Sequence, residues 1–271
     1  IYVYLFCIPF IIIIMKDKRI KMSILTIAIA CFYFIVKGPV FNYFNVEKST
    51  TVEAFSIPLQ QIARVVASNK DINAEDEDYL KNLFKDYDEV AIEYKPYISD
   101  PIKRETRNDV LSDNKGSFLK TYLNLFVKYP NIYIEAYLSQ TLGYWYPDVI
   151  YNSTGGETSS IFEGENVYSS PLTSQWYNRL IDKTVSRKIP LSNFIWSLGT
   201  QFIILLISFT ITMYLENKKY LLCYVPLFGL WLSMMAATPV FCELRYVYGL
   251  FTCMPFLLVM PLIIPSKEQK L

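Results

Sequence analysis

LLCYVPLFGLWLSMMAATPVFCELRYVYGLFTCMPFLLVMPLIIP, residues 221–265, decides the fold. Two uncharged apolar runs, Tyr220 to Pro239 and Tyr246 to Ile264, flank a short link. Each has about the 20 residues that a helix needs to cross the hydrocarbon core of a bilayer. The link carries one acid and one base, Glu243 and Arg245. Ionisable groups near bilayer depth are costly and face protein or a wet cavity, so the pair marks a candidate functional site. Pro255 and Pro261 are expected to kink the final helix, as membrane helices tolerate.

Working outward, similar apolar runs recur. Phe194 to Leu215 is uncharged, with Trp196 and Tyr214 near its ends. Amphipathic rings anchor there, at headgroup level. Met22 to Val36 is shorter, but Lys21 and Lys37 can snorkel to the two interfaces, and Gly38-Pro39 is expected to end the helix. Ile1 to Met15 is apolar throughout and short for a span. It begins without Met and lacks the basic region and cleavage pattern of a signal peptide. The reading is therefore of a carboxy-terminal fragment, with further spans before residue 1.

These runs predict a membrane α-helical fold of about five transmembrane helices. Residues 1–37 hold two, the first truncated, and residues 191–265 hold three. Residues 266–271 form a cytoplasmic tail. A mainly α-helical extracytoplasmic domain, residues 38–190, is inserted between the second and third helices, with five more acids than bases. Within it, Val52 to Ser68 has helical spacing, and Asn73 is placed to cap Glu75 to Lys85. Ser117 is expected to cap Phe118 to Tyr129, which Pro130 stops. Asn131 to Tyr146 and Thr173 to Arg187 read as further helices, and Asn152 to Gly164 as a loop. The short segments 16–21, 218–219 and 267–270 together hold eight Lys or Arg and fall on one side of the membrane. Basic short loops stay cytoplasmic, while long domains translocate largely regardless of charge. The protein is expected to be multi-pass in the cell membrane, in contact with membrane lipid, with residues 38–190 outside.

Composition removes several classes. There is no histidine, which excludes His-ligated zinc and His-dependent triads. The five cysteines lie in or beside apolar runs without a CxxC pair, so they read as small apolar packing residues. A net charge of +1 gives no electrostatic case for nucleic acid. The run Glu75-Asp76-Glu77-Asp78 lacks the alternating ligands and central glycine of a calcium loop and reads as a solvated helix start. No metal site and no cofactor site is identified.

Three groups remain as candidates. Arg245, with Tyr246, is suited to a lipid-linked phosphate, because a guanidinium donates two hydrogen bonds at once. Glu243 would orient it or act on the acceptor. The alternative is an interfacial ion pair that locks the hairpin. Tyr144, Trp145 and Tyr146, with Asp148 beside them, offer flat faces and a hydrogen-bonding carboxylate to a sugar or acceptor. Such aromatics also make cores and interface belts. Lys103-Arg104-Glu105-Thr106-Arg107 is a basic cluster that reads as a solvated face.

Three stretches carry a family resemblance: Ser56 to Arg64 (SIPLQQIAR), Thr141 to Pro147 (TLGYWYP) and Pro239 to Tyr246 (PVFCELRY). On these the chain resembles the DUF6020 family of bacterial polytopic membrane proteins over nearly its whole length. The layout is also similar to GT-C-type glycosyltransferases, polytopic enzymes with an extracytoplasmic domain. That resemblance implies a polyprenyl-phosphate-linked sugar donor. It also implies a catalytic acid in an early external loop, which this chain does not contain, so no catalytic residue carries over. The other reading is a non-enzymatic transport, flipping or envelope-assembly component whose outer domain binds a partner.

The topology is testable in a cysteine-free background. A cysteine placed at Ser159 should react with an impermeant thiol reagent in intact cells, and one at Asn217 should not. The opposite pattern would invert the assignment.

Overall fold

The computed structural model describes residues 2–14, 16–47, 50–149, 175–186, 188–190, 192–215 and 218–264. The expected loop Asn152 to Gly164 and the tail 266–271 lie outside them. The described residues are mostly helical, and β-structure among them is confined to isolated bridges.

The chain begins with α1 (Tyr2–Ile14), and a 3-10 turn at Lys16–Lys18 leads into α2 (Arg19–Ile35). Contrary to expectation, the helix does not stop at Gly38-Pro39. A π turn, Val36–Val40, carries it into α3 (Phe41–Tyr43). Proline has no N–H to offer, and the wider π register accommodates the missing bond. The helix ends at Asn45, whose φ of 50° lies in the left-handed region that asparagine tolerates. Asn45 N–H donates to the Asn42 carbonyl (3.3 Å) and Val46 N–H to that of Phe41 (2.9 Å), which closes a Schellman cap.

The expected helix Val52 to Ser68 is divided at Phe55 into α4 (Thr51–Ala54) and α5 (Ser56–Ala67). Then come α6 (Ala74–Leu83), α7 (Tyr87–Glu93), α8 (Asp100–Glu105), α9 (Asn108–Asp113), α10 (Lys115–Lys128) and α11 (Pro130–Thr141). The spine is α5, against which α7, α8, α10 and α11 pack. Its Leu59, Ile62, Ala63 and Val65 are fully buried, and Leu80, Leu83, Ile102 and Leu111 complete the core. Burying each of the larger of these side chains stabilises the domain by about 1.5–3 kcal/mol.

A second core gathers the carboxy-terminal helices. After α12 (Gln175–Val185) and α13 (Asn193–Trp196) come α14 (Leu198–Tyr214), α15 (Val225–Ala237), α16 (Tyr248–Thr252) and α17 (Met254–Ile263). Leu198, Leu205, Tyr224, Leu250, Leu257 and Met260 pack there. The buried Tyr224 hydroxyl is satisfied by Ser208 Oγ at 2.8 Å and Thr212 Oγ1 at 2.6 Å. The final helix breaks at Cys253, just ahead of Pro255.

Two helices are long and apolar enough to cross a membrane, Arg19–Tyr43 and Leu244–Ile263. Leu5–Ile14, Leu198–Tyr214 and Val225–Ala237 are apolar but shorter. Val3 and Phe6 of α1 lie over Gly229 of α15, and the 3-10 turn Lys218–Cys223 also packs on α1.

Two local expectations are corrected. Ser117 caps nothing, because α10 starts at Lys115 and encloses it. Asp76 is not solvated. Asn73 does cap α6, accepting from Asp76 N–H at 2.8 Å, but the Asp76 carboxylate is buried. It accepts from Asn73 Nδ2 (2.6 Å), Thr121 Oγ1 (2.7 Å) and Asn124 Nδ2 (3.2 Å). This ties α6 to α10. Asp76→Ala leaves those donors without a partner in the core and should cost about 3 kcal/mol. The check is a lowered melting temperature, while Asp78→Ala on the exposed face should stay within about 0.5 kcal/mol of wild type.

Candidate functional site

The link between α15 and the last helix leaves helical geometry at Thr238, so its backbone groups need partners outside the chain's own turns. The polar domain supplies them. The segment Tyr97 to Ser99 runs antiparallel to Pro239 to Phe241, with a β-bridge between Ile98 and Val240. Phe241 N–H donates to the Tyr97 carbonyl (2.9 Å), and Ser99 donates to the Pro239 carbonyl through both its N–H and its hydroxyl (2.9 Å each). From the other side, Gly143 N–H donates to the Phe241 carbonyl (2.9 Å) and the Tyr144 hydroxyl to that of Val240 (3.0 Å). Gln140 Nε2 donates to the Thr238 carbonyl at 2.8 Å.

Behind this clasp stands Gln60 of α5. It is 1% exposed, and its Nε2 donates to the carbonyls of Lys95 (2.8 Å) and Ile98 (3.0 Å), fixing the tight turn between them. Its neighbour Gln61 accepts from the Tyr122 hydroxyl (2.8 Å) and donates to the Tyr133 carbonyl (3.1 Å). The stretches Ser56 to Arg64, Thr141 to Pro147 and Pro239 to Tyr246 are thus brought to one junction.

Two glycines are required there by close approach. A Cβ on Gly143 would run into the Phe241 carbonyl and Cys242, and one on Gly199 into the Tyr146 backbone. Beside Gly199, Ser197 Oγ donates to the Pro147 carbonyl at 2.6 Å. Trp231 Nε1 reaches the Tyr144 carbonyl (2.9 Å), and its ring stacks on Phe202 with centroids 3.9 Å apart.

The candidate aromatics divide. Tyr144 is buried and its hydroxyl is committed to the clasp, and burial pushes its pKa up. Trp145 is half-buried, its Nε1 donating to Thr141 Oγ1 at 3.2 Å. Tyr146 and Asp148 face outward. Cys242 is buried against Gly143. Burial, assisted by the charge on Glu243, pushes its thiol up to about 12, so it packs as a neutral group.

Glu243 is extended, and a 3-10 turn, Leu244–Val247, carries Arg245 and Tyr246. Glu243 Oε1 lies 3.5 Å from Arg245 Nε, with the Glu243 side chain 14% exposed and that of Arg245 72% exposed. The Arg245 guanidinium lies over the Tyr246 ring, 5.1 Å from its centroid, a cation–π arrangement that stiffens the side chain. The acid is held in the fold and the base projects from it.

Lys103 departs from the expected solvated face. Its side chain is 9% exposed and pairs with Asp100 (2.6 Å) and Glu53 (2.7 Å), pinning α8 to α4 beside a cleft of about 530 Å³. Burial works against its charge, but the hydrogen bonds of the two carboxylates more than offset this and hold its pKa above the usual lysine value. Among the described residues no group of three or more His, Cys, Asp or Glu is placed to hold a metal ion.

Fold and junction define a helical protein built like an integral membrane protein, in which a polar helical domain is clasped to the link between two apolar helices. The chain belongs to DUF6020, a family of unknown function, which matches residues 1–270. Neither the curated proteins nor the solved structures contain a match to it.

Sequence reasoning missed the partner half of the junction: Tyr97 to Ser99, Gln60 and Gln140. One signal for it was present, two adjacent amides flanked by apolar residues at Gln60-Gln61. Gly143→Ala should break the Gly143–Phe241 contact and lower stability by about 2 kcal/mol or more, as overpacking does. Gly116→Ala, where nothing lies within 4 Å of the added carbon, should be neutral or stabilising. Equal melting temperatures for the two variants would show that the clasp is not tight.

Proposed function

We propose that the protein is a multi-pass membrane protein of the bacterial cell envelope and part of a GT-C-like glycosyltransferase. Five helices cross the bilayer, residues 38–190 lie outside, and a sugar moves from a polyprenyl-phosphate carrier to an acceptor at the outer surface. Arg245 binds the carrier phosphate, with Tyr246 supporting its guanidinium, and Glu243 sets its direction. Tyr146 and Asp148 border the acceptor, with Trp145 behind them, and Tyr144 contributes by holding the clasp.

The observation that carries this reading is the asymmetry of the Glu243–Arg245 pair: an anchored acid at 14% exposure beside a base at 72%, at the seam of the polar domain and the apolar helices. A pair at 3.5 Å with its base 72% exposed contributes little to holding a hairpin. The planar guanidinium, presented at this seam, has the donor geometry that suits a phosphate. The basic residues of the short segments 16–21 and 218–219 support the orientation, since basic short loops stay cytoplasmic.

The test is sugar transfer by the full-length protein from a polyprenyl-phosphate donor. Arg245→Ala should lower kcat/KM by about 100-fold, the usual effect of removing one charged donor from a developing anion. Arg245→Lys should restore part of it, and Glu243→Ala should cost about tenfold by loosening the guanidinium. Unchanged transfer in all three variants would leave the pair as a lock on the hairpin. No transfer by the wild type from any such donor would favour transport or assembly.

A further inference from the structure

Helix α12 (Gln175–Val185) divides into two sides at the helical period. Trp176, Leu180, Ile181, Thr184 and Val185 share one, and Arg179, Asp182 and Lys183 share the other. The less polar side is itself divided. Ile181, Thr184 and Val185 are half-buried, and Thr184 Oγ1 accepts from Trp196 Nε1 at 2.9 Å. Trp196 closes α13 just ahead of the apolar helix α14, and its ring stacks on Phe251 of α16 with centroids 5.9 Å apart. The end of α12 is thereby held beside the start of α14. The other two apolar residues are exposed, Trp176 at 66% and Leu180 at 41%. Arg179 follows Trp176 by three positions and Lys183 follows Leu180 by three, the spacing at which helix side chains are neighbours. Both bases are exposed. A cleft of about 330 Å³ is lined by Arg179, Asp182, Lys183, Ser186 and Lys188. Residues 175–190 carry four bases and one acid, in a domain where acids outnumber bases by five.

We propose that α12 lies in the plane of the membrane surface and that its basic cleft holds the headgroup phosphate of an anionic phospholipid, with Trp176 and Leu180 seated at the edge of the acyl chains. This rests on the apolar helices crossing a bilayer, as proposed above, and is independent of the role given to Arg245. Cations alone suit any phosphate. Here exposed apolar side chains stand beside them on the helix, and a phospholipid offers both a negative charge and hydrocarbon to that one edge. A short helix with bases on its polar side and Trp and Leu on the other is the kind that settles at the boundary of headgroups and chains. Long basic side chains reach the headgroups while their stems cover apolar surface. The bond from Trp196 to Thr184 places the helix where such a boundary is expected, at the start of an apolar helix and beside an amphipathic ring.

The experiment titrates the full chain in detergent micelles with dioleoyl phosphatidylglycerol or dioleoyl phosphatidylcholine and counts bound lipid by native mass spectrometry. Phosphatidylglycerol should bind about tenfold more tightly. Arg179→Gln and Lys183→Gln should each weaken it about fivefold, the effect of one cation near a charged surface, and Asp182→Asn should strengthen it by about the same factor. Phosphatidylcholine binding and the melting temperature should stay as in wild type in all three, because these side chains are exposed. Leu180→Ser should weaken both lipids alike. Wild-type binding of phosphatidylglycerol by the double variant Arg179→Gln, Lys183→Gln would overturn the site. Equal binding of the two lipids by the wild type would overturn its preference for an anion. Arg245→Ala should hold phosphatidylglycerol as the wild type does. If that variant loses the lipid while the α12 variants keep it, the phosphate belongs at the link, and this proposal falls while the reading of Arg245 stands. Displacement of the lipid by an equal concentration of inorganic phosphate would show a site for free anions instead.

Discussion

Backbone hydrogen bonds between Tyr97–Ser99 and Pro239–Phe241 hold the polar domain to the apolar helices, and the other features of the junction serve them. A helical span satisfies its own peptide groups. A link that leaves helical geometry beside a bilayer does not, and each buried group left without a partner costs on the order of 1–3 kcal/mol. The carbonyls of Thr238, Pro239, Val240 and Phe241 all accept hydrogen bonds from the polar domain or the segment that follows it. Gly143 is small so that its N–H can reach Phe241, and Gln60 is buried so that the turn pairing with the link keeps its shape. The direction of Arg245 follows from these bonds, because its 3-10 turn begins just beyond the clasped residues.

The chain treats its charges in two ways. Asp76 and Lys103 are enclosed, and each has partners on more than one side, so they act as struts between helices. Their geometry is tight, between 2.6 and 2.7 Å for the closest contacts. The pair at the link is different in kind: 3.5 Å apart, with the acid nearly covered and the base 72% exposed. The exposed guanidinium, unlike the enclosed Lys103, is presented at the surface of the junction.

Much of the architecture is legible in the chain because helical period and apolar length are local properties. The Asn73 cap, the division at Pro255 and the apolar runs at both ends all rest on residues close in sequence. What escaped depends on contacts between distant segments. Nothing local tells that Asp76, in a run of four acids, turns inward to meet Thr121 and Asn124, 45 and 48 residues away. Nothing local shows that Ser99 meets Pro239 across 140 residues. The Gly38-Pro39 pair misled because the rule that proline ends a helix assumes α register, and a π turn escapes it. Arg245 and Glu243 stand out in the sequence because charge is rare in that stretch.

The long helix Arg19–Tyr43 bears on the environment of the whole. Ile20, Ile24, Ile27, Phe32, Phe34 and Ile35 are each more than half exposed, and no part of its apolar window is enclosed by the rest of the chain. In water each such side chain forgoes about 1.5–3 kcal/mol of available burial, and a soluble fold would turn a helix of this kind inward. Its charges are gathered at the start, with Arg19 and Lys21, and its next base is Lys37, close to the other end. That is the spacing of two aqueous boundaries with hydrocarbon between them. The Schellman cap at Asn45 then releases the chain toward α4, which is tied through Glu53 and Lys103 to α8 and so to the same Ser99 that grips the link. From α4 onward the polar domain is thus tied to the turn between the last two apolar helices.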